Sequence, residues 1–175
     1  CRVAQTGKSK NGAWCSILLY KDARVDMRIL DEVYGSNNWQ RTHELIGDRL
    51  YCTISIWDAE KGQWIKKQDV GTESYTEKEK GQASDSFKRA GFNVGIGREL
   101  YTAPKIFINL GDGEWEKKNN KINPKTSFEV EGIDYDDYGN IDYLVISNGK
   151  GKTLYTFGKP HGKAKDAPAP KAEAP

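Results

Sequence analysis

Residues 49–70 read RLYCTISIWDAEKGQWIKKQDV, and this stretch decides the fold class that the sequence predicts. Alternate positions over 49–57 are apolar, so one face of a predicted strand consists of Leu50, Cys52, Ile54 and Ile56. The DAEKG segment is typical of a tight turn, and residues 63–70 return as a partner strand. The stretch therefore predicts an antiparallel β-hairpin.

A helical pattern precedes this hairpin. Residues 22–34 carry apolar side chains three and four positions apart, which is the spacing of one helix face. Asp22 is suited to cap the start of this helix, and Gly35 is suited to end it. Nearer the N-terminus, the apolar run WCSILLY follows a Gly-rich turn, which predicts another hairpin over residues 2–20.

A second helical pattern follows the central hairpin, over residues 76–94. Its apolar stripe consists of Ala83, Phe87, Ala90 and Val94. The elements then follow the order ββ-α-ββ-α. This order predicts an α+β fold, in which an antiparallel β-sheet packs on a long helix.

The character of the sequence changes after Pro104. Short strand-like runs, separated by Gly, Asn and charged residues, predict a smaller β-rich C-terminal extension over residues 105–158. Ala, Pro and Lys dominate residues 159–175, which predicts a disordered tail. The predicted organisation is thus a core of residues 1–104, the extension and the tail.

Composition excludes several classes of protein. The chain has 175 residues with 37% hydrophobic and 30% charged residues, which is typical of a globular protein. Its net charge is only +2, so a basic surface for nucleic acid has to be local. No apolar run is long enough to span a membrane, and the three cysteines form no CxxC pair. We therefore expect no membrane partner and a cytoplasmic location. Because residue 1 is Cys, we also expect residues before it.

Two motifs resemble ligand sites but lack essential residues. GKGKT at 149–153 resembles a phosphate loop, yet the position of its first glycine holds Ile146, which favours a lysine-rich hairpin turn. DYDDYGNID at 134–142 resembles a calcium loop, but Tyr138 and Val145 replace two oxygen ligands, which favours an acidic solvated loop. No catalytic constellation is evident. The sequence predicts no enzymatic activity, no cofactor and no metal site.

The second predicted helix carries adjacent cations, Lys88 and Arg89. On a helix, Arg89 follows Asp85 by one turn, so the simplest interpretation is an ordinary ion pair beside a solvated lysine. Glycines at 91, 95 and 97 then weaken the helix and are expected to end it. Four of the five tryptophans, Trp14, Trp39, Trp57 and Trp64, are expected in the core or in a subunit interface.

Three segments resemble a known family. ARVDMRILDEVYGSNNW at 23–39 is similar to the helix-then-Trp segment of the Rad-fifty-two/Rad-twenty-two family of single-strand annealing proteins, which includes phage recombinases of the Sak type. DVGTES at 69–74 resembles the strand-ending Asp-Val-Gly segment of that family. EKEKGQASDSFKRAGFNVGIG at 77–97 resembles its long helix with the Ser/Thr-Asp-x-x-Lys-Arg-Ala signature. The resemblance covers about residues 15–101.

The resemblance implies a protein that binds single-stranded DNA and anneals complementary strands without ATP, in homologous recombination and DNA repair. It implies a homo-oligomeric ring or filament with the DNA backbone in a basic groove, and the host cytoplasm as location if a phage encodes the chain. By carry-over, the residues that would contact DNA are Lys88, Arg89 and Arg24, with Lys61, Lys66 and Lys67 of the hairpin as an upper lip. Where some relatives have a further basic residue, this chain has Phe92.

Two alternatives remain open from the sequence. One is a metal-dependent nuclease that uses the carboxylates of Asp134, Asp136 and Asp137, because two-metal cutting needs clustered carboxylates. The other is a non-catalytic protein-interaction module whose lysines are merely solvated. The tail is also a candidate for recruiting a host single-strand-binding protein, because its composition is basic and Pro-rich.

Overall fold

A computed structural model describes residues 1–10, 12–72 and 78–161, with the backbone alone for 78–80. The chain divides into two compact units. Within the described residues, unit 1 combines Cys1–Tyr20 with residues 99–161, and unit 2 is Lys21–Arg98. The predicted division into a core of residues 1–104 and an extension of residues 105–158 differs from this division into units, because unit 1 contains residues from both predicted parts. Apart from its first three residues, the predicted disordered tail lies outside the described residues.

Strands predominate among the described residues. In chain order the elements are β1 (Arg2–Ser9), β2 (Gly12–Leu18), α1 (Ala23–Tyr34), β3 (Trp39–Ile46), β4 (Arg49–Asp58), β5 (Gln63–Val70), α2 (Lys78–Asn93), a short 3-10 helix (Arg98–Thr102), β6 (Ile106–Leu110), β7 (Trp115–Lys118), β8 (Lys121–Pro124), β9 (Glu129–Tyr135), β10 (Ile141–Ser147) and β11 (Thr153–Phe157). Neither α-helix of this part of the chain is long and apolar enough to cross a membrane.

Unit 1 contains two three-stranded antiparallel sheets and one hairpin. The sheets have the strand orders β1-β2-β6 and β9-β10-β11, and β7 pairs with β8. Alternate residues of β2, β6 and β10 point to one core, which contains the buried side chains of Ala13, Cys15, Ile17, Ile106, Ile108, Leu110, Ile141, Leu144 and Ile146. Burial of these apolar side chains is the main favourable term that holds the unit together.

Unit 2 is a three-stranded antiparallel sheet, β3-β4-β5, with α2 packed on β4 and β5. Its core consists of Leu30 of α1, Cys52 and Ile54 of β4, Phe87 and Ala90 of α2, and Ile96. Trp39 stacks on Phe87 with ring centroids 6.4 Å apart, so it belongs to this core as expected. The apolar face predicted for 49–57 is therefore the face that α2 covers.

The predicted fold class, a ββ-α-ββ-α sheet packed on a long helix, is wrong. The described part of the chain is mostly β, with 48% strand in four small sheets and two short α-helices. The first hairpin does not join the central one, because β2 pairs with β6 in another unit. The third strand of the central sheet, β3, is polar along most of its length and has no apolar alternation that would predict it.

The local predictions around unit 2 are confirmed. Asp22 caps α1, since its carboxylate accepts a hydrogen bond from the backbone N–H of Arg24 at 2.8 Å. Gly35 ends the helix with a φ of 80°, and its N–H donates to the carbonyl of Asp31 at 2.9 Å. The hairpin of 49–70 is β4 and β5.

One glycine fixes how closely α2 approaches the sheet. A Cβ atom placed on Gly71 would lie 2.2 Å from the carbonyl oxygen of Gln82 and 2.8 Å from the backbone nitrogen of Ser86. Only a residue without a side chain allows this approach. The glycine of the Asp-Val-Gly segment therefore has a packing role against α2.

Candidate nucleic-acid interface

Arg24 and Lys88 both act on a single carboxylate, that of Asp22. The Arg24 guanidinium donates to both Asp22 oxygens, at 3.1 Å from Nε and 2.9 Å from Nη2. These bonds, the backbone bond and, to a smaller extent, the charge of Lys88 lower the pKa of Asp22 to about 2. The structure thus brings two of the predicted DNA contacts, one on each helix, to the start of α1.

The two cations differ in their partners. The Arg24 side chain is 83% exposed although it is paired with Asp22. Lys88 is half-buried and, within the described part of the chain, makes no hydrogen bond or ion pair. One carboxylate that interacts with two cations leaves a local excess of positive charge, to which a phosphate can bind.

Arg89 does not form the predicted pair with Asp85. Its Nε lies 3.4 Å from Oδ1 of Asp69, at the end of β5, and the side chain is 40% exposed. Asp85 instead accepts hydrogen bonds from the backbone N–H and the hydroxyl of Thr72, at 2.8 and 2.9 Å. The helix spacing permitted the Asp85–Arg89 pair, but α2 packs so that each side chain reaches a partner at the end of β5.

Two of the segments that carry the family resemblance therefore meet in space. Asp69 binds Arg89, Thr72 binds Asp85, and Gly71 lies against the backbone of α2. The Nδ2 of Asn93 adds bonds to the carbonyl of Gln68 at 3.0 Å and to Asp69 at 3.3 Å. Together these contacts hold the basic pair of α2 against the end of β5.

The three hairpin lysines do not form a common lip. Lys61, at the turn, donates to Asp58 from both its backbone N–H and its ammonium, at 3.0 and 2.8 Å. Its hydrogen bond to Asp58 raises the pKa of Lys61 and lowers that of Asp58. Lys66 and Lys67 are adjacent on β5, so they point to opposite faces of the sheet. Lys67 shares the face that α2 covers, and Lys66 shares the other.

Aromatic residues of unit 2 have distinct environments. The ammonium of Lys21 lies 5.1 Å from the ring centroid of Phe92, so the position at which the resemblance led us to expect a cation holds an aromatic ring, and a cation lies beside that ring. Trp57 and Trp64 pair across β4 and β5 at 5.4 Å, and they are 39% and 37% exposed. This exposed pair lies on the sheet face opposite α2, so of the two expected places, the core and a subunit interface, the core is excluded for these two residues.

Sequence reasoning missed Arg41. Its guanidinium lies 4.6 Å from the ring centroid of Phe87, on the face of the sheet that α2 covers. Its strand, β3, was not predicted, so the residue had no assigned face. The signal that remains in the sequence is the i, i+2 spacing of Trp39, Arg41 and His43, which share that face.

The acidic stretch of 134–142 has a local structural role. Oδ1 of Asp136 accepts hydrogen bonds from the backbone N–H groups of Tyr138 and Asn140, at 2.9 and 2.8 Å, and so shapes the β9–β10 turn. Asp134 accepts from the backbone N–H of His161 at 2.9 Å. Among the described residues, no three His, Cys, Asp or Glu side chains are grouped so that they could hold a metal.

The lysine-rich turn predicted for 149–153 is confirmed. It connects β10 to β11, and Asn148 closes it by accepting from the N–H groups of Lys150 and Lys152, at 3.0 and 2.9 Å. Its backbone N–H groups are therefore engaged within the turn rather than arranged as a phosphate cradle.

Comparisons with protein-family models, with curated proteins and with solved structures give no match for this chain. The resemblance to the Rad-fifty-two/Rad-twenty-two family therefore depends on the three quoted segments, two of which form the contact between α2 and the end of β5.

We predict that Arg24→Ala raises the pKa of Asp22 from about 2 part of the way towards its ordinary value of 3.8, because the guanidinium hydrogen bonds to the carboxylate are lost while the backbone N–H bond remains. Lys88→Ala is expected to raise it by a smaller amount. Carboxyl NMR titration measures both. Since the folded pKa is lowered, Asp22 contributes stability above the unfolded pKa, and this contribution is lost as the pH falls towards 2.

The control variant is Arg49→Ala, which removes an exposed cation elsewhere in unit 2 and should leave the pKa of Asp22 unchanged. If Lys88→Ala also leaves it in place, Lys88 does not face Asp22 in solution.

Proposed function

We propose that this chain binds single-stranded DNA and anneals complementary strands without ATP, as a non-enzymatic protein of homologous recombination and DNA repair. The observation that carries the proposal is the joint between α2 and the end of β5. There, two family-like segments meet and position Arg89, which follows Lys88 on α2, while Arg24 and Lys88 both act on the carboxylate of Asp22. A host cytoplasm is the corresponding location.

The chemistry of these groups suits annealing. Ammonium and guanidinium groups bind phosphates without reading base sequence. A strand that is held by its backbone keeps its bases available for pairing, whereas tight stacking on aromatic rings would hide them. Arg89 remains 40% exposed after its bond to Asp69, so its outer N–H groups are available to a phosphate.

A few cations per subunit give modest affinity, so the proposal includes a ring or filament of identical chains. Repetition of the same surface increases binding through effective concentration. The polar strand β3 supports this part, since it is an edge strand of its sheet with Leu45 67% exposed at its end. Edge strands offer unpaired backbone groups to a second chain. A host single-strand-binding protein is a further proposed partner.

We predict that the double variant Lys88→Ala, Arg89→Ala loses most of its affinity for single-stranded DNA. The dependence of log affinity on log salt should become shallower by about 1.4, since each lost contact to a single strand removes about 0.7. Fluorescence anisotropy with a labelled oligonucleotide at several salt concentrations measures both quantities.

The matched control is Arg28→Ala with Arg49→Ala, which removes two exposed cations from the same unit. Thermal unfolding of both double variants separates lost binding from lost structure. If the dependence of log affinity on log salt is equal for the two double variants, Lys88 and Arg89 do not belong to the proposed site.

Annealing is tested separately from binding. The wild-type chain should pair complementary labelled oligonucleotides in EDTA without nucleotide, as measured by energy transfer between the labels. Magnesium-dependent degradation of the oligonucleotides would instead support the nuclease, and the absence of any salt-dependent binding would support an interaction module.

A further inference from the structure

Unit 1 contains a groove that combines cations with indole rings. It has a volume of about 650 Å³ and lies between β1 and β2 on one side and the β7–β8 hairpin on the other. Its charged lining residues are Lys8, Lys117 and Lys121, and its aromatic ones are Trp14 and Trp115. Among the described residues no carboxylate lines it, so its lining carries three positive charges on a chain whose net charge is +2.

The two glutamates beside Trp115 in the sequence are paired with other lysines. Glu116 follows Trp115 on β7, so it points to the other face of the hairpin, which Lys121 shares through its pairing with Lys118, and its carboxylate lies 4.0 Å from Lys125. Glu114 is bound to Lys152 at 2.9 Å, and this hydrogen bond lowers the pKa of Glu114. Both glutamates are thus paired with lysines outside the groove, which leaves its own lysines available to an anion.

The indoles are positioned by packing. A Cβ on Gly7 would lie 2.5 Å from Cζ2 of Trp14, so the absence of a side chain at Gly7 lets the indole lie directly across β1. Trp115 is half-buried against the core of unit 1 and presents its ring to the ammonium of Lys8, 5.5 Å from the ring centroid. The groove therefore holds a cation and an aromatic face within reach of one ligand.

We propose that this groove binds a short stretch of single-stranded nucleic acid. Lys117 and Lys121 would contact backbone phosphates, and a base would stack on Trp115 once the exposed Lys8 side chain turns from the ring to a phosphate. The amide side chains of Gln5 and Asn120 also line the groove and offer donors and acceptors to a base edge.

The combination of groups favours nucleic acid over a simple anion. An inorganic anion needs cations alone, whereas a nucleotide unit joins phosphates to a flat ring. The volume is within the range of about 300–1,000 Å³ that is usual for ligand sites. This inference concerns other residues in another unit and does not depend on the function proposed for α2.

The test uses the full chain and an oligothymidylate of about 20 nucleotides with a fluorescent label. The triple variant Lys8→Ala, Lys117→Ala, Lys121→Ala should make the salt dependence of log affinity shallower by about 2, from about 0.7 for each of three contacts. The control triple, Lys105→Ala, Lys150→Ala, Lys159→Ala, removes the same charge from exposed sites of the same unit and should leave the slope nearly unchanged. Equal slopes for the two triples would overturn the proposal.

Stacking has its own readout. Trp115→Leu should weaken binding about tenfold, while Trp115→Phe retains an aromatic face and should retain most of the affinity. Equal affinities of the Leu and Phe variants would overturn the stacking role. Free thymidine monophosphate should compete with the oligonucleotide only weakly, and equally effective competition would identify a nucleotide site instead of a strand site.

Cross-linking keeps the test valid if a variant fails to fold. The wild-type chain, irradiated with an oligonucleotide that contains iodouracil, should give adducts on the β7–β8 peptide by mass spectrometry. Adducts confined to unit 2 would overturn the proposal. The double variant Lys88→Ala, Arg89→Ala tests the site on α2, and the groove variants test the site in unit 1. Either proposal can therefore fail while the other is supported.

Discussion

Replacement of Lys21 by Met is expected to lower the free energy of unfolding by about 3–5 kcal/mol. The ammonium of Lys21 forms an ion pair with Asp26, whose side chain is fully buried, and the Lys21 side chain is only 10% exposed. Without the lysine, the buried carboxylate keeps its desolvation cost and loses a charged partner. The ammonium of Lys21 also lies over the ring of Phe92. The Lys21 side chain contacts Gly97, where an added Cβ would lie 2.0 Å from Cε of Lys21.

Urea unfolding followed by circular dichroism measures this effect. Arg28→Met is the matched control, because it breaks the exposed pair of Arg28 with Glu32, at 3.6 Å, which is worth at most about 1 kcal/mol. The double variant Lys21→Met, Asp26→Asn removes both charges and should recover part of the loss. A Lys21→Met loss no larger than the Arg28→Met loss would show that the pair contributes little.

Gly71→Ala is expected to destabilise the protein by at least about 1–3 kcal/mol. The new methyl group would lie 2.2 Å from the carbonyl oxygen of Gln82, and backbone atoms cannot move away as a flexible side chain can. The helix α2 must therefore shift from β5 or the unit must unfold locally. Either change would also displace Arg89 from Asp69, so weaker binding of single-stranded DNA is expected as well.

Gly91→Ala provides the comparison for this second experiment. Its Cβ would be 3.5 Å from the nearest atom, Oδ2 of Asp26, which is an ordinary contact. Alanine in a helix is favoured over glycine by about 1 kcal/mol, so this variant should be neutral or more stable. Thermal unfolding of the two variants in parallel tests the close approach at Gly71, and equal unfolding temperatures would contradict it.

The candidate site was predictable only in part. Local sequence patterns predicted that the basic pair lies on a helix and that Asp22 caps α1. Both predictions were possible because helix periodicity and capping depend on neighbours within one turn. The partner of Arg89 was not predictable in this way, since the carboxylates of Asp85, four residues earlier, and Asp69, twenty residues earlier, carry the same charge. Packing of α2 on β5 selected Asp69.

The basic groove of unit 1 illustrates the same limit. Lys8 and Trp14 are separated from Trp115 and Lys121 by about a hundred residues of sequence, and no spacing rule connects them. They become neighbours because β1, β2 and the β7–β8 hairpin belong to one unit. The sequence predicted basic residues on α1, α2 and the central hairpin, and it gave no indication of this groove.

The amino-acid sequence by itself determined the elements whose contacts are local: the capped helix α1, the β4–β5 hairpin, the helix α2 and the turn between β10 and β11. Tertiary structure alone decided that β2 pairs with β6, that polar β3 completes the central sheet, and that Arg89 binds Asp69. The physical reason is that the pattern of apolar residues in a strand specifies which of its faces is buried. The pattern does not specify which other strand pairs with it, because many strands can form the same backbone hydrogen bonds. The choice among neighbours depends on how the whole chain buries its apolar surface.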